Sequence, residues 1–121
     1  MTPRLLKLWS MRELMAESAF NLYVVLLDPA VLKHKRFRDA NPHHDPGKPS
    51  VYVGRTGLSP EARFAKHKQG VKANSYVMHY GVRLLPALYR RFRNMPRADA
   101  DRMEVRLADT LRRHGYAVWQ K

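Results

Sequence analysis

The chain has 121 residues, 45% of them hydrophobic, which suits one domain with a modest core and argues against default disorder. Lysine and arginine total 23 against 10 acidic residues, a net charge of +13 that favours a polyanionic partner. Nucleic acid comes before an anionic membrane surface, because no long basic amphipathic helix is apparent, and the lack of cysteine excludes disulfides, thiolate metal sites and a cysteine nucleophile.

Lys7, Arg12 and Glu13 interrupt any apolar leader in the first twenty residues, and no apolar run reaches membrane-spanning length. A cytoplasmic protein is the expectation. Thr2 to Trp9 carries no clear signal. Ser10 with Glu13 fits a capping box and Trp9 with Leu14 a hydrophobic staple, predicting a helix from Met11 to about Ser18. Asn21 to Asp28 is a near-continuous apolar run, a strand buried on both faces, with Asp28-Pro29 ending it.

Val31 to Pro49 reads as a long polar connection without its own structure, and loops of that length are usually functional. Lys33, Lys35, Arg36 and Arg38 make it a candidate phosphate-contacting arm. His43, His44 and Asp45 suggest a metal, but adjacent loop histidines seldom converge on one ion, so exposed loop histidines are expected. Ser50 to Val53 is a short strand stopped by Gly54, pairing antiparallel with the Asn21 strand. Ser59 then offers an N-cap, Pro60 suits the first helical position, and Gly70 is the C′ stop. On that helix Arg63 and His67 lie four apart on one face, a spacing that a solvated basic face would also explain.

Val71 to Tyr80 is basic and aromatic, and Val82 to Tyr89, broken by Pro86, reads as an edge or interrupted strand. The last helix follows Pro96, carries Asp99 and Asp101 near its start and Arg112, Arg113 and His114 near its end, and stops at Gly115. Its core stripe is Ala100, Met103, Leu107, Ala108 and Leu111. Glu104 falls on that stripe, where a carboxylate is costly unless an arginine, another cation or a metal meets it. Tyr116 to Trp119 is a final short apolar strand.

Asn21-Leu22-Tyr23, Tyr52-Val53-Gly54, the Arg63–His67 helix and the later Glu104 together resemble the GIY-YIG nuclease family, over about Asn21 to Trp119. The resemblance implies a single domain over residues 1–121 with a small three-stranded, mostly antiparallel sheet flanked by helices, an α/β (α+β) fold. It implies a metal-dependent endonuclease, DNA ahead of RNA as partner. Tyr23 and Tyr52 fall on the two motif tyrosines, Arg55 on an often basic position, and Arg63 on the catalytic arginine. His67 matches a histidine of some members, and Glu104 the single metal-binding carboxylate. Lys66 and Lys72 join the loop cations as candidate nucleic-acid contacts.

Those residue types suit the chemistry. One carboxylate is enough for Mg²⁺ or Mn²⁺ when water and substrate phosphate complete the shell. Arg63 can fork onto phosphate oxygens. A tyrosine, Tyr23 favoured, takes the proton of the attacking water, with Tyr52 or His67 orienting or relaying it. Both tyrosines could instead simply pack at the sheet surface. Asn21 replaces the family's first glycine, the 31–49 connection is long, and Gln120 is the nearest counterpart of a late asparagine. The alternatives are a catalytically silent nucleic-acid-binding module and an RNA-directed nuclease.

Overall fold

The computed structural model describes residues 19–120; the expected Met11–Ser18 helix lies outside them. Four strands form one sheet: β1 (Asn21–Leu27), β2 (Ser50–Thr56), β3 (Gly81–Leu84) and β4 (Ala117–Gln120), in the order β3-β1-β2-β4. β1 runs antiparallel to both β2 and β3, whereas β2 and β4 are parallel. The class is therefore mixed α/β, with four strands instead of three. The extra strand is the Tyr116–Trp119 run, which reaches β2 in parallel because a long helix intervenes.

Two local expectations need correction. Gly54 does not stop β2 but lies inside it, directly opposite Tyr23. Nor is Val31–Pro49 structureless. A 3-10 turn (Pro29–Lys33), capped by the Asp28 carboxylate, leads into a short helix α1 (Lys35–Asp39). Val31 and Phe37 are fully buried and fasten this segment to the core. Apolar side chains spaced six apart within a polar stretch are easily missed, yet here they decide the structure.

Helix α2 (Pro60–Lys68) begins as the sequence implies, with the Ser59 hydroxyl accepting from the Ala62 amide at 3.1 Å. It ends before Gly70, whose φ of +81° is the left-handed conformation a C′ glycine permits. Helix α3 (Ser75–Tyr80) falls in a stretch read only as basic and aromatic; Asn74 caps it by accepting from the Tyr76 and Val77 amides. β3 is a sheet edge, and a 3-10 turn at Pro86–Leu88 breaks the chain beyond it, in line with the proline. Helix α4 (Arg97–Arg113) buries Ala100, Glu104, Ala108 and Leu111 and packs on β2 and β4.

The fully buried Leu22, Val24, Val25, Val51, Val53 and Val118 hold the strands in one core. Successive side chains alternate across the sheet. Tyr23, Tyr52 and Gly54 therefore share one face, towards α2, while Arg55 turns to the other and meets α4. No helix among the described residues is long and apolar enough to cross a membrane.

Candidate active site

The β1–β2 ladder and α2 bring three rings together. Tyr23 lies 6.0 Å from Tyr52 and 5.9 Å from His67, and Tyr52 lies 5.7 Å from His67, centroid to centroid. Register explains the closeness: Tyr23 faces Gly54, and Tyr52 precedes that glycine by two on the same face. A Cβ at Gly54 would stand 2.7 Å from the Tyr23 hydroxyl and 2.8 Å from the Tyr52 ring, so only glycine admits both phenols.

The hydrogen bonds run in a defined direction. The Asn74 main-chain N–H donates to His67 Nδ1 at 3.1 Å, and His67 Nε2 lies 2.8 Å from the Tyr23 hydroxyl. Burial, assisted by the Arg63 charge, lowers the His67 pKa to about 4, so the ring is neutral at pH 7. A neutral imidazole whose Nδ1 accepts must carry its proton on Nε2. His67 therefore donates to the Tyr23 oxygen and leaves the Tyr23 proton free to be given elsewhere.

Burial raises the Tyr23 pKa well above the usual phenol value, the neighbouring Tyr52 adding to it and the Arg63 charge opposing it. Tyr52 is raised too, first by burial and then by the Glu104 carboxylate, with Tyr23, Arg63 and Arg55 opposing. Arg63 thus acts electrically on all three rings. Its guanidinium is held by the carbonyls of Val71 at 3.2 Å and Lys72 at 2.8 Å, in a turn where Lys72 has a φ of +46°. Two of its five N–H groups are used there, leaving three for Tyr23 or an anion.

Glu104 approaches from α4. Its Oε1 is 3.8 Å from Arg55 Nε, and its Oε2 accepts from the Gln120 amide at 3.2 Å. Arg55 is also ion-paired with Asp101, one turn before Glu104. Tyr52 links the two halves, touching His67 on one side and feeling the Glu104 charge on the other. Among the described residues no group of three or more His, Asp or Glu side chains is placed to hold a metal. Mg²⁺ keeps most of its water and takes only one or two protein carboxylates, so Glu104 is the residue here that could hold one.

The remaining candidate cations stand outside the cluster of rings. Lys35 pairs with Asp39 at 2.7 Å, and Arg38 donates to the Leu32 and Lys33 carbonyls, both at 2.9 Å, so these two serve their own segment. Lys33 lies 5.8 Å from the Tyr80 ring. Arg36 lies 5.8 Å from the Trp119 ring, and Trp119 is the β4 neighbour of Tyr52, so this cation flanks the site. Lys66 and Lys72 are exposed on and just after α2. His44 serves its own loop, its Nε2 donating to the Lys48 carbonyl at 2.9 Å, while His43 is exposed.

Sequence reasoning misses Asn74 and Asp101 as parts of the site. An asparagine before a short apolar stretch is a legible N-cap signal, and Asp101 stands three residues before Glu104 on the same helical face. No family model, curated protein or solved structure matches the chain significantly.

Proposed function

We propose that this protein is a metal-dependent endonuclease that hydrolyses phosphodiester bonds in nucleic acid, with DNA as its first substrate. The observation that carries the reading is the Tyr23–His67 hydrogen bond of 2.8 Å, in a buried cluster with Tyr52 and under the Arg63 charge. Packing alone does not require a histidine with both nitrogens engaged beside two buried phenols. The net charge of +13 supplies the attraction for a polyanion.

In this reading Arg63 binds the scissile phosphate with its remaining N–H groups, and Tyr23 is the base for the attacking water. The neutral His67 Nε2–H stays on the Tyr23 oxygen, where it stabilises a phenolate and fixes its direction. Tyr52, between Tyr23 and Glu104, orients the water. With the phenol pKa raised by burial, Tyr23 is protonated in the protein alone, so added positive charge is required to free the base. Glu104 would hold Mg²⁺ or Mn²⁺, which when bound supplies that charge and offsets the charge developing on the phosphate and leaving oxygen.

The test is cleavage of labelled single- and double-stranded DNA and RNA with Mg²⁺, Mn²⁺ or EDTA, wild type beside Glu104→Ala. Metal-dependent cleavage lost in the variant supports the proposal. Binding without cleavage in both proteins would sink it, leaving a silent nucleic-acid-binding module. Cleavage confined to RNA would replace DNA as the substrate.

A further inference from the structure

On the α2 side of the β1 entry lies a cavity of about 340 Å³, lined among others by Asn21, Glu61, Tyr89, Arg90, Phe92 and Arg93. Asn21 frames it: its Nδ2 donates to the Leu58 carbonyl at 3.0 Å and its Oδ1 accepts from the Asn94 amide at 3.1 Å. The side chain standing in place of the family's glycine thus ties the β2–α2 turn to the 90–94 segment.

Tyr89 is 4% exposed, and its hydroxyl is buried without a hydrogen-bond partner among the described residues. A buried, unsatisfied hydroxyl costs stability, and Tyr89 is one of the residues that line the cavity, so the cavity is where a partner for it can enter. The surroundings say what kind. Glu61, close enough to raise the Tyr89 pKa together with burial, is an acceptor only, while Tyr89 in its protonated form is a donor. Arg90 and Arg93 are exposed at the same cavity and suit a phosphate. Phe92, Pro60 and Pro86 give it apolar surface.

We infer that this cavity takes one unpaired nucleotide, its base reaching Tyr89 and Glu61 and its phosphate lying on Arg90 and Arg93. A base that offers a donor beside an acceptor along one edge satisfies both polar groups at once. Asn21 and Leu22 of the cavity wall immediately precede Tyr23 in β1, so such a nucleotide would sit next to the cleaved bond. The inference rests on the nuclease reading only for the source of that nucleotide. It predicts that cleavage favours substrates with an unstacked base at the junction, because base extrusion from a duplex costs free energy.

The experiment is a binding titration in EDTA, where no cleavage occurs, of dCMP, dGMP, dTMP and a short single-stranded oligonucleotide. Wild type, Tyr89→Phe and Arg90→Ala/Arg93→Ala are compared, with thermal melting of each. Tyr89→Phe keeps the packing and removes only the hydroxyl, so its melting temperature should stay level or rise while dCMP affinity falls about tenfold. The arginine pair should weaken every nucleotide, dTMP included. Saturable mononucleotide binding without oligonucleotide binding would assign a free nucleotide as ligand; binding of both assigns the substrate strand. Equal affinity of wild type and Tyr89→Phe overturns the inference. A protein that cleaves DNA with Tyr89→Phe unaffected in binding and rate loses this site but keeps the nuclease reading. Tyr89-dependent binding without any cleavage does the reverse.

Discussion

Gly54 stands opposite Tyr23 in the β1–β2 ladder, and the space its missing Cβ leaves is filled by the Tyr23 and Tyr52 phenols. The glycine is therefore part of the site and not a strand end. Gly54→Ala would place a methyl 2.7 Å from the Tyr23 hydroxyl, within β2 where the backbone cannot retreat without breaking the ladder. Overpacking of this kind costs about 1–3 kcal/mol. The expected variant folds with reduced stability in chemical denaturation, and its His67 ring resonances shift because the Tyr23 bond is displaced. An unchanged His67 spectrum would show that the phenols have room to spare.

His67 makes the stability depend on pH with a definite sign. Its folded pKa of about 4 lies below the ordinary 6.5, so the unfolded chain takes up a proton first on acidification. Stability contributed by the neutral ring is complete above pH 6.5, is lost as pH falls from 6.5 to 4, and changes no further below that. A tenfold difference in proton affinity is worth roughly 1.4 kcal/mol, so the whole loss is at most on the order of 3–4 kcal/mol. Melting temperatures of wild type and His67→Gln across this window test it. The wild-type curve should fall more steeply, and parallel curves would mean that the imidazole titrates normally.

The parts of the site legible in the sequence are those where spacing itself carries the chemistry. Arg63 and His67 four apart, Glu104 on an apolar stripe, and the Ser59, Pro60, Gly70 boundaries of α2 all follow from helical period and capping. The rest depends on tertiary partners. Gly54 resembles a terminator because glycine is poor in strands, and only the register opposite Tyr23 reveals its use. The polar 31–49 stretch conceals its two anchors, Val31 and Phe37, because neither shows a period in so short a segment. The direction of the His67 bonds cannot be read from the sequence at all, since it is set by the Asn74 main chain.

Asn41 is the other polar residue that the long connection needs. Its Nδ2 donates to the Phe37 and Val118 carbonyls at 2.8 and 3.0 Å, and its Oδ1 accepts from the Val118 amide at 2.7 Å and Arg112 Nε at 3.2 Å. The side-chain amide so stands in for a neighbouring strand along the edge of β4. Asn41→Ala leaves buried backbone groups unmet, which costs about 1–3 kcal/mol each. A stability loss of roughly 2–4 kcal/mol is expected in denaturant titrations, with the low His67 pKa retained. A loss below about 1 kcal/mol would mean that water replaces the amide freely.

Arg55 sits between two carboxylates, ion-paired with Asp101 and 3.8 Å from Glu104. Asp101 shares the Arg55 Nε with Glu104, the carboxylate proposed to hold a metal. Removing the Asp101 charge leaves Glu104 as the nearest anion, and Arg55 then competes with a divalent cation for it. Asp101→Asn should therefore raise the Mn²⁺ concentration for half-maximal cleavage several-fold while the rate at saturating metal changes little. Glu104→Gln should abolish metal-stimulated cleavage at every concentration, yet leave DNA binding in EDTA intact or tighter, since a negative charge is lost. The salt dependence of that binding should keep its log–log slope of about one unit per phosphate neutralised. A metal requirement identical in wild type and Asp101→Asn would show that Arg55 does not contend for Glu104, and the pair would then be a structural clasp between β2 and α4.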